Sequence, residues 1–133
     1  MGAEQPLVIA YLDTNVVLFV AQGETKRLTR RAEQALERHD LLLSPMVMLE
    51  LNYLYECRRI VVTPDVIFQE LYNALDLRLC NLPFDRIVNA AAKEAWTRDA
   101  FDRIIVSHAK ANQESPLISS DAVIATHYSN VIW

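Results

Sequence analysis

The chain has 133 residues, of which 52% are hydrophobic and 23% charged, with only 2 Gly and 5 Pro. This composition excludes a disordered chain, and the length suffices for one domain, residues 1–133, whose core needs no disulfide or structural metal. No apolar run approaches the roughly 18 residues of a membrane helix, and no basic segment followed by an apolar run indicates a secretory signal. Cys57 and Cys80 follow no disulfide or zinc pattern. We therefore expect buried, reduced thiols in a cytoplasmic protein with no membrane partner.

A short apolar run, residues 7–12, is followed directly by Asp13. Such a run is typical of a strand in a buried parallel sheet. Functional crevices in open α/β sheets lie outside the carboxyl ends of the strands, so Asp13 is a candidate site residue. The alternative role for Asp13 is to cap the helix that is predicted over residues 14–20 and ends near Gly23.

A second helix is predicted over residues 25–38, with an apolar stripe and several basic side chains. This basic helix is either a solvated face or a contact for a phosphate backbone. The apolar stripe consists of Leu28, Ala32, Ala35 and Leu36, and the basic residues are Lys26, Arg27, Arg30, Arg31 and Arg38.

Glu50 lies in an unusually apolar part of a predicted helix. A buried strand over residues 41–43 precedes Ser44-Pro45, a cap followed by a proline, which predicts a helix that continues to about residue 57. The neighbours of Glu50 at three and four positions are all apolar or aromatic: Met46, Val47, Tyr53 and Leu54. A carboxylate in such surroundings needs a partner, which is either an arginine or a metal ion.

The rest of the chain continues the alternation of strands and helices. The pattern predicts helices over residues 64–74 and 84–96, a weak strand over residues 75–82, and a terminal strand over residues 131–133 at a sheet edge. Asp99 and Asp102 are three positions apart near the start of another helix, and Asp121 follows the short apolar strand that begins at Leu117. This alternation predicts an α/β fold with a mainly parallel sheet.

Five acids thus occupy strand ends or helix starts or lie on an apolar helix: Asp13, Glu50, Asp99, Asp102 and Asp121. Two carboxylates about 4 Å apart repel by roughly 4 kcal/mol at an effective dielectric of about 20, so a converging group requires cations. Oxygen ligands favour Mg²⁺ or Mn²⁺, which can promote hydrolysis of a phosphodiester. The net charge is −4, but the remaining 12 acidic residues nearly balance the 13 basic ones, so the surface permits RNA binding.

Four motifs, in this order and spacing, closely resemble the PIN-domain family, and in particular VapC-type toxins of toxin–antitoxin pairs. They are Tyr11-Leu12-Asp13-Thr14-Asn15, then Ser44-Pro45 through Leu49-Glu50-Leu51, then Arg98-Asp99-Ala100-Phe101-Asp102-Arg103, and finally Ile118-Ser119-Ser120-Asp121. The family commonly has proline at the position of Ala100, which should alter the start of that helix only slightly.

The resemblance implies a three-layer α/β/α sandwich and a Mg²⁺- or Mn²⁺-dependent endoribonuclease. It also implies a homodimer and a cognate antitoxin that blocks the site. It places the catalytic, metal-binding quartet at Asp13, Glu50, Asp102 and Asp121, with Asp99 as an accessory metal ligand. Asn15 argues against a haloacid-dehalogenase-type phosphatase, which needs a second acid there. A housekeeping RNA-processing nuclease and a non-catalytic PIN module that binds RNA or protein remain the alternatives.

Overall fold

The computed structural model describes residues 8–133, which contain five short strands and seven α-helices. The strands are β1 (Ile9–Leu12), β2 (Asp40–Leu43), β3 (Arg78–Leu79), β4 (Leu117–Ile118) and β5 (Val131–Ile132). The helices are α1 (Thr14–Ala21), α2 (Arg30–Arg38), α3 (Pro45–Glu56), α4 (Pro64–Leu75), α5 (Phe84–Ala91), α6 (Ala100–Ala111) and α7 (Ala122–His127). Leu7, the first residue of the predicted first strand, lies outside the described residues. Among residues 8–133, no helix is long and apolar enough to cross a membrane.

All five strands are parallel and lie in the order β3-β2-β1-β4-β5, which confirms the predicted parallel sheet and its edge strand β5. Ala10, Tyr11 and Leu12 are all fully buried. Since successive side chains of a strand point to opposite faces, helices must cover both faces of β1, as in a three-layer sandwich. The strand order reverses beside β1, so the functional crevice is expected where β1 and β4 end.

The helix predicted over residues 25–38 is interrupted. A 3₁₀ turn at Thr25–Arg27 comes first, and α2 begins only at Arg30. Thr29 takes an extended backbone conformation, and its hydroxyl accepts a 3.1 Å hydrogen bond from the amide of Ala32. A threonine that caps a new helix in this way ends the preceding turn, because its side chain satisfies an amide that would otherwise lack a partner.

Two other predicted elements are shorter than expected. Helix α5 ends at Ala91 and not at residue 96, and Arg103 donates to the carbonyl oxygens of Ala91 and Ala92 at 3.1 and 3.3 Å. These bonds satisfy carbonyls that helix continuation would have used. The strand predicted over residues 75–82 is reduced to β3, because Asp76 adopts a left-handed conformation, with φ of 55°, that ends α4 just before it.

A buried hydrogen bond connects α3 with α6. Ser44 caps α3 as predicted, accepting from the amide of Met46 at 3.1 Å, and its hydroxyl lies 2.8 Å from Nδ1 of His108. Burial lowers the pKa of His108, so the imidazole is neutral at neutral pH. The bond holds the start of α3, the helix that carries Glu50, against the last turn of α6.

The two cysteines differ in exposure. Cys80 is buried next to the hydroxyl of Tyr11, with 3.1 Å between sulfur and oxygen, as expected for a core thiol. Cys57 is exposed at the end of α3, so the prediction of a buried thiol is wrong at this position. The helix ends at Glu56, which places Cys57 just beyond the packed part of the helix.

Candidate metal centre

Asp13 is the most deeply buried of the five acids, with only 4% of its surface exposed. It follows β1 and caps α1, where one carboxylate oxygen accepts from the amide of Thr14 at 2.8 Å. The other oxygen accepts from the hydroxyl of Ser119 at 2.6 Å. Burial raises the pKa of Asp13, these two hydrogen bonds oppose the rise, and the charges of Asp121 and Asp99 add to it. Asp13 therefore caps α1, which is the alternative role considered from the sequence, and it also lies among other acids at the carboxyl end of β1.

Glu50 forms a hydrogen bond with Thr14, the residue that follows Asp13, and no ion pair with an arginine among the described residues. The hydroxyl of Thr14 donates a short hydrogen bond to one oxygen of the Glu50 carboxylate. Burial raises the pKa of Glu50, the Thr14 bond partly opposes this, and the charges of Asp13 and Asp99 raise it further. Thr14 thus links the acid of α3 to the acid at the end of β1.

Asp99 and Asp102 occupy different positions at the start of α6. Asp99 is the cap: its Oδ1 accepts from the amides of Phe101 and Asp102 at 2.9 and 3.3 Å, and its side chain is exposed. Asp102 lies within the first turn and is half-buried. Burial and then the charge of Asp99 raise the pKa of Asp102 to about 7, with smaller contributions from Asp13, Asp121 and Glu50.

Asp121 follows β4 and caps α7. Its Oδ1 accepts from the amides of Val123 and Ile124 at 2.8 and 3.2 Å. The backbone amide of Asp121 donates to the hydroxyl of Ser119 at 3.1 Å. Because the same hydroxyl donates to Asp13, Ser119 connects the carboxyl ends of β4 and β1.

The structure therefore brings the five acids within electrostatic reach of one another around Asp102, since the charges of Asp99, Asp13, Asp121 and Glu50 all raise the pKa of Asp102. The three ion pairs within residues 8–133 involve Glu24, Asp76 and Glu94, so no basic side chain in that range neutralises the five acids by a direct pair. Carboxylates that accumulate charge without a basic partner are stabilised by cations.

Within residues 8–133, no three His, Cys, Asp or Glu side chains form a ready-made metal cage. Three of the five acids, Asp13, Asp99 and Asp121, bind amides at the start of their own helices. The oxygen-only donor set suits a hard divalent cation. Mg²⁺ in particular keeps several of its waters and needs only one or two direct carboxylate ligands. The residues present therefore fit such an ion held partly through water.

Two residues that organise these acids were not predicted as site residues from the sequence. Thr14 and Ser119 carry no charge, yet their hydroxyls bind Glu50 and Asp13. A local signal exists in each case: Thr14 follows Asp13 directly, and Ser119 precedes Asp121 by two positions. The long-range partners, however, depend on which strands lie side by side.

Comparison with known proteins agrees with this architecture. The sequence model of the PIN domain matches residues 10–128. Comparison with curated protein sequences gives no match. Similar solved structures include VapBC2 from Rickettsia felis bound to a DNA fragment from their promoter, with a TM-score of 0.61, 17% identity, and coverage of 93% of this chain and 96% of that chain. A toxin-antitoxin complex from Klebsiella pneumoniae has a TM-score of 0.63 and 19% identity, with the same coverage. At these identities the likeness concerns the fold.

Proposed function

Since the chain belongs to the PIN-domain family, we propose that it is a Mg²⁺- or Mn²⁺-dependent endoribonuclease. The observation that carries the proposal is the electrostatic coupling of the five acids where β1 and β4 end, together with the absence of a basic partner for them within residues 8–133. In this proposal Asp13, Glu50, Asp102 and Asp121 are the catalytic acids and metal ligands, and Asp99 is an accessory ligand.

The side chains have two kinds of task in the proposed reaction: the acids would hold the ion, and two hydroxyl groups orient the acids. When bound, the divalent ion supplies the charge that activates a water and stabilises the negative charge developing on the phosphate. Asp13 and Asp102, whose pKa values are raised by burial, would lose their protons on binding the ion and hold it through their carboxylate oxygens. Thr14 and Ser119 orient the carboxylates of Glu50 and Asp13 through their hydroxyl groups.

The proposed biological role is that of the toxin in a toxin–antitoxin pair, acting in the cytoplasm. Support comes from the two structural neighbours, VapBC2 from Rickettsia felis and a toxin-antitoxin complex from Klebsiella pneumoniae. The proposed partners are a cognate antitoxin protein and a second copy of the chain in a homodimer.

Exposed apolar side chains are consistent with such partners, because exposed apolar patches are typical of interaction surfaces. Leu49 and Tyr53, one helical turn apart on α3, are 54% and 56% exposed. Val61, in the connection between α3 and α4, is 90% exposed. Burying these residues against a partner would remove apolar surface from water.

The test is cleavage of structured RNAs by the purified protein with Mg²⁺, with Mn²⁺ and with EDTA. We expect cleavage with either ion and none with EDTA. Asp102→Asn, purified in the same way, is the control for a contaminating nuclease. Cleavage that survives EDTA would contradict the metal mechanism.

The toxin role is tested separately by induced expression in a bacterial host. Growth should stop with the wild-type chain and continue with Asp102→Asn at equal protein levels. RNA cleavage without growth arrest would favour a housekeeping nuclease. RNA binding without cleavage at any metal concentration would favour a non-catalytic module.

A further inference from the structure

The α5–α6 connection, residues 92–99, leads directly into the acid-bearing start of α6, yet it contains no helix or strand. Its last residue is Asp99, which caps α6 and raises the pKa of three other members of the acid group. The position of Asp99 therefore depends on whatever fixes this connection. Arg103 fixes only its beginning, through the carbonyl oxygens of Ala91 and Ala92.

Glu94 fixes the middle of the connection through both of its carboxylate oxygens. Oε1 accepts from the ammonium of Lys110 on α6 at 2.5 Å, and Oε2 accepts from the indole of Trp96 at 2.6 Å. The Glu94 side chain is only 9% exposed, whereas the acids of the other two ion pairs in residues 8–133 are 44% and 74% exposed. A buried charge-assisted pair holds its geometry far better than an exposed one.

The two hydrogen bonds of Glu94 anchor the connection to α6, and Trp96 extends this anchor to α7. Its ring stacks on the imidazole of His127, with 4.8 Å between ring centroids and 10° between planes. One residue further, the hydroxyl of Thr97 accepts from the amide of Asp99 at 3.1 Å. The contacts made by residues 94–99 thus reach both α6 and α7, the helices that are capped by Asp99 and Asp121.

We propose that Glu94 is a positioning residue for the metal centre: through Lys110 and Trp96 it holds the α5–α6 connection so that Asp99 caps α6 and Asp102 faces the other acids. That the positioned acids bind a metal ion rests on the proposed function. The positioning of Asp99 rests on the hydrogen bonds alone. Glu94 contacts neither substrate nor cofactor in this proposal and acts only through the connection.

Two variants weaken the anchor from opposite sides. Glu94→Gln keeps the shape but replaces one acceptor oxygen by a donor, so Trp96 and Lys110 can no longer both be satisfied. Trp96→Phe removes only the indole N–H and keeps an aromatic ring against His127. The matched control is Ser115→Ala, which removes a buried hydroxyl that donates to the carbonyl of Asn112, at the opposite end of β4 from Asp121.

The first measurement needs no metal: hydrogen exchange of the Phe101 and Asp102 amides, which donate to Asp99. We expect exchange about 10-fold faster in Glu94→Gln and Trp96→Phe, and unchanged in Ser115→Ala, because only the first two release the cap. Unchanged exchange in both anchor variants, or equal acceleration in the control, would overturn the proposal.

The second measurement is calorimetric titration with Mn²⁺ of the same three variants and the wild type. The dissociation constant for Mn²⁺ should rise about 10-fold in the two anchor variants and stay unchanged in Ser115→Ala. Loss of residues that orient metal ligands without contacting the ion typically weakens metal binding by about this factor. Wild-type affinity in both anchor variants contradicts positioning of the metal centre. If the wild type itself binds no Mn²⁺, the proposed function fails, and the exchange rates still decide the role of Glu94.

Discussion

The hydroxyl of Ser119 donates a 2.6 Å hydrogen bond to the carboxylate of Asp13, across the carboxyl ends of two neighbouring parallel strands. The same oxygen accepts from the amide of Asp121. An uncharged side chain thereby sets the relative positions of two of the acids.

Ser119→Ala should therefore reduce RNA cleavage about 10-fold and raise the Mg²⁺ concentration required, because Asp13 loses the donor that orients it. The loss of the two hydrogen bonds made by the Ser119 hydroxyl should lower the free energy of unfolding by about 1–3 kcal/mol. Steady-state cleavage across a Mg²⁺ titration and thermal unfolding measure the two effects. Ser120→Ala, at the adjacent position, should change neither, and an equal loss in both variants would contradict the assignment.

Asp102 and Asp99 should differ in their contributions to cleavage. Asp102→Asn should abolish cleavage while the protein remains folded, because the residue lies inside the first turn of α6 and is coupled to all four other acids. Asp99→Asn keeps a side chain that caps helices well, so α6 should persist, and cleavage should recover at roughly 10-fold higher Mg²⁺. A Mg²⁺ titration of both variants tests this. An active Asp102→Asn together with an inactive Asp99→Asn would reverse the roles.

Without divalent ions, stability should fall as the pH rises from about 5 to about 8. The pKa of Asp102 is raised from 3.8 to about 7 in the folded protein, so between these values the folded state binds more protons than the unfolded state. Stability is then highest below the unfolded pKa and is lost as the pH passes through the folded pKa.

Thermal unfolding in EDTA across this pH range measures the effect. Asp102→Asn should flatten the dependence and raise the stability at pH 8 by about 1 kcal/mol, or roughly 4 °C, a modest figure because the side chain is only half-buried. An unchanged slope in this variant would show that the charge of Asp102 is not the cause.

The native chain should expose one reactive thiol. Cys57 is exposed and Cys80 is buried, so a thiol reagent should modify one cysteine per chain rapidly and the second only on unfolding. Cys57→Ser should remove the fast reaction, whereas Cys80→Ser should leave it. Rapid modification of both thiols in the native protein would contradict the described packing around Cys80.

Patterns within short segments were sufficient to predict much of the fold and the identity of the acids. Buried apolar runs predicted β1, β2 and β4, because strands of a parallel sheet need apolar residues on both faces. Ser44-Pro45 predicted the start of α3, because a cap and a proline act on adjacent backbone groups. The five acids were found because each lies next to such a local signal or on an apolar helix face.

Contacts between distant segments decided the rest. The partner of Glu50 is Thr14, 36 positions away, and that contact exists only because α3 packs beside α1. Helix α5 ends at Ala91, and Arg103 of the next helix donates a hydrogen bond to the carbonyl oxygen of Ala91. The burial of Glu94 likewise requires Lys110 from α6. Local residues determine where a helix or strand can form, but the partner of a buried polar group depends on which elements the sheet order brings together.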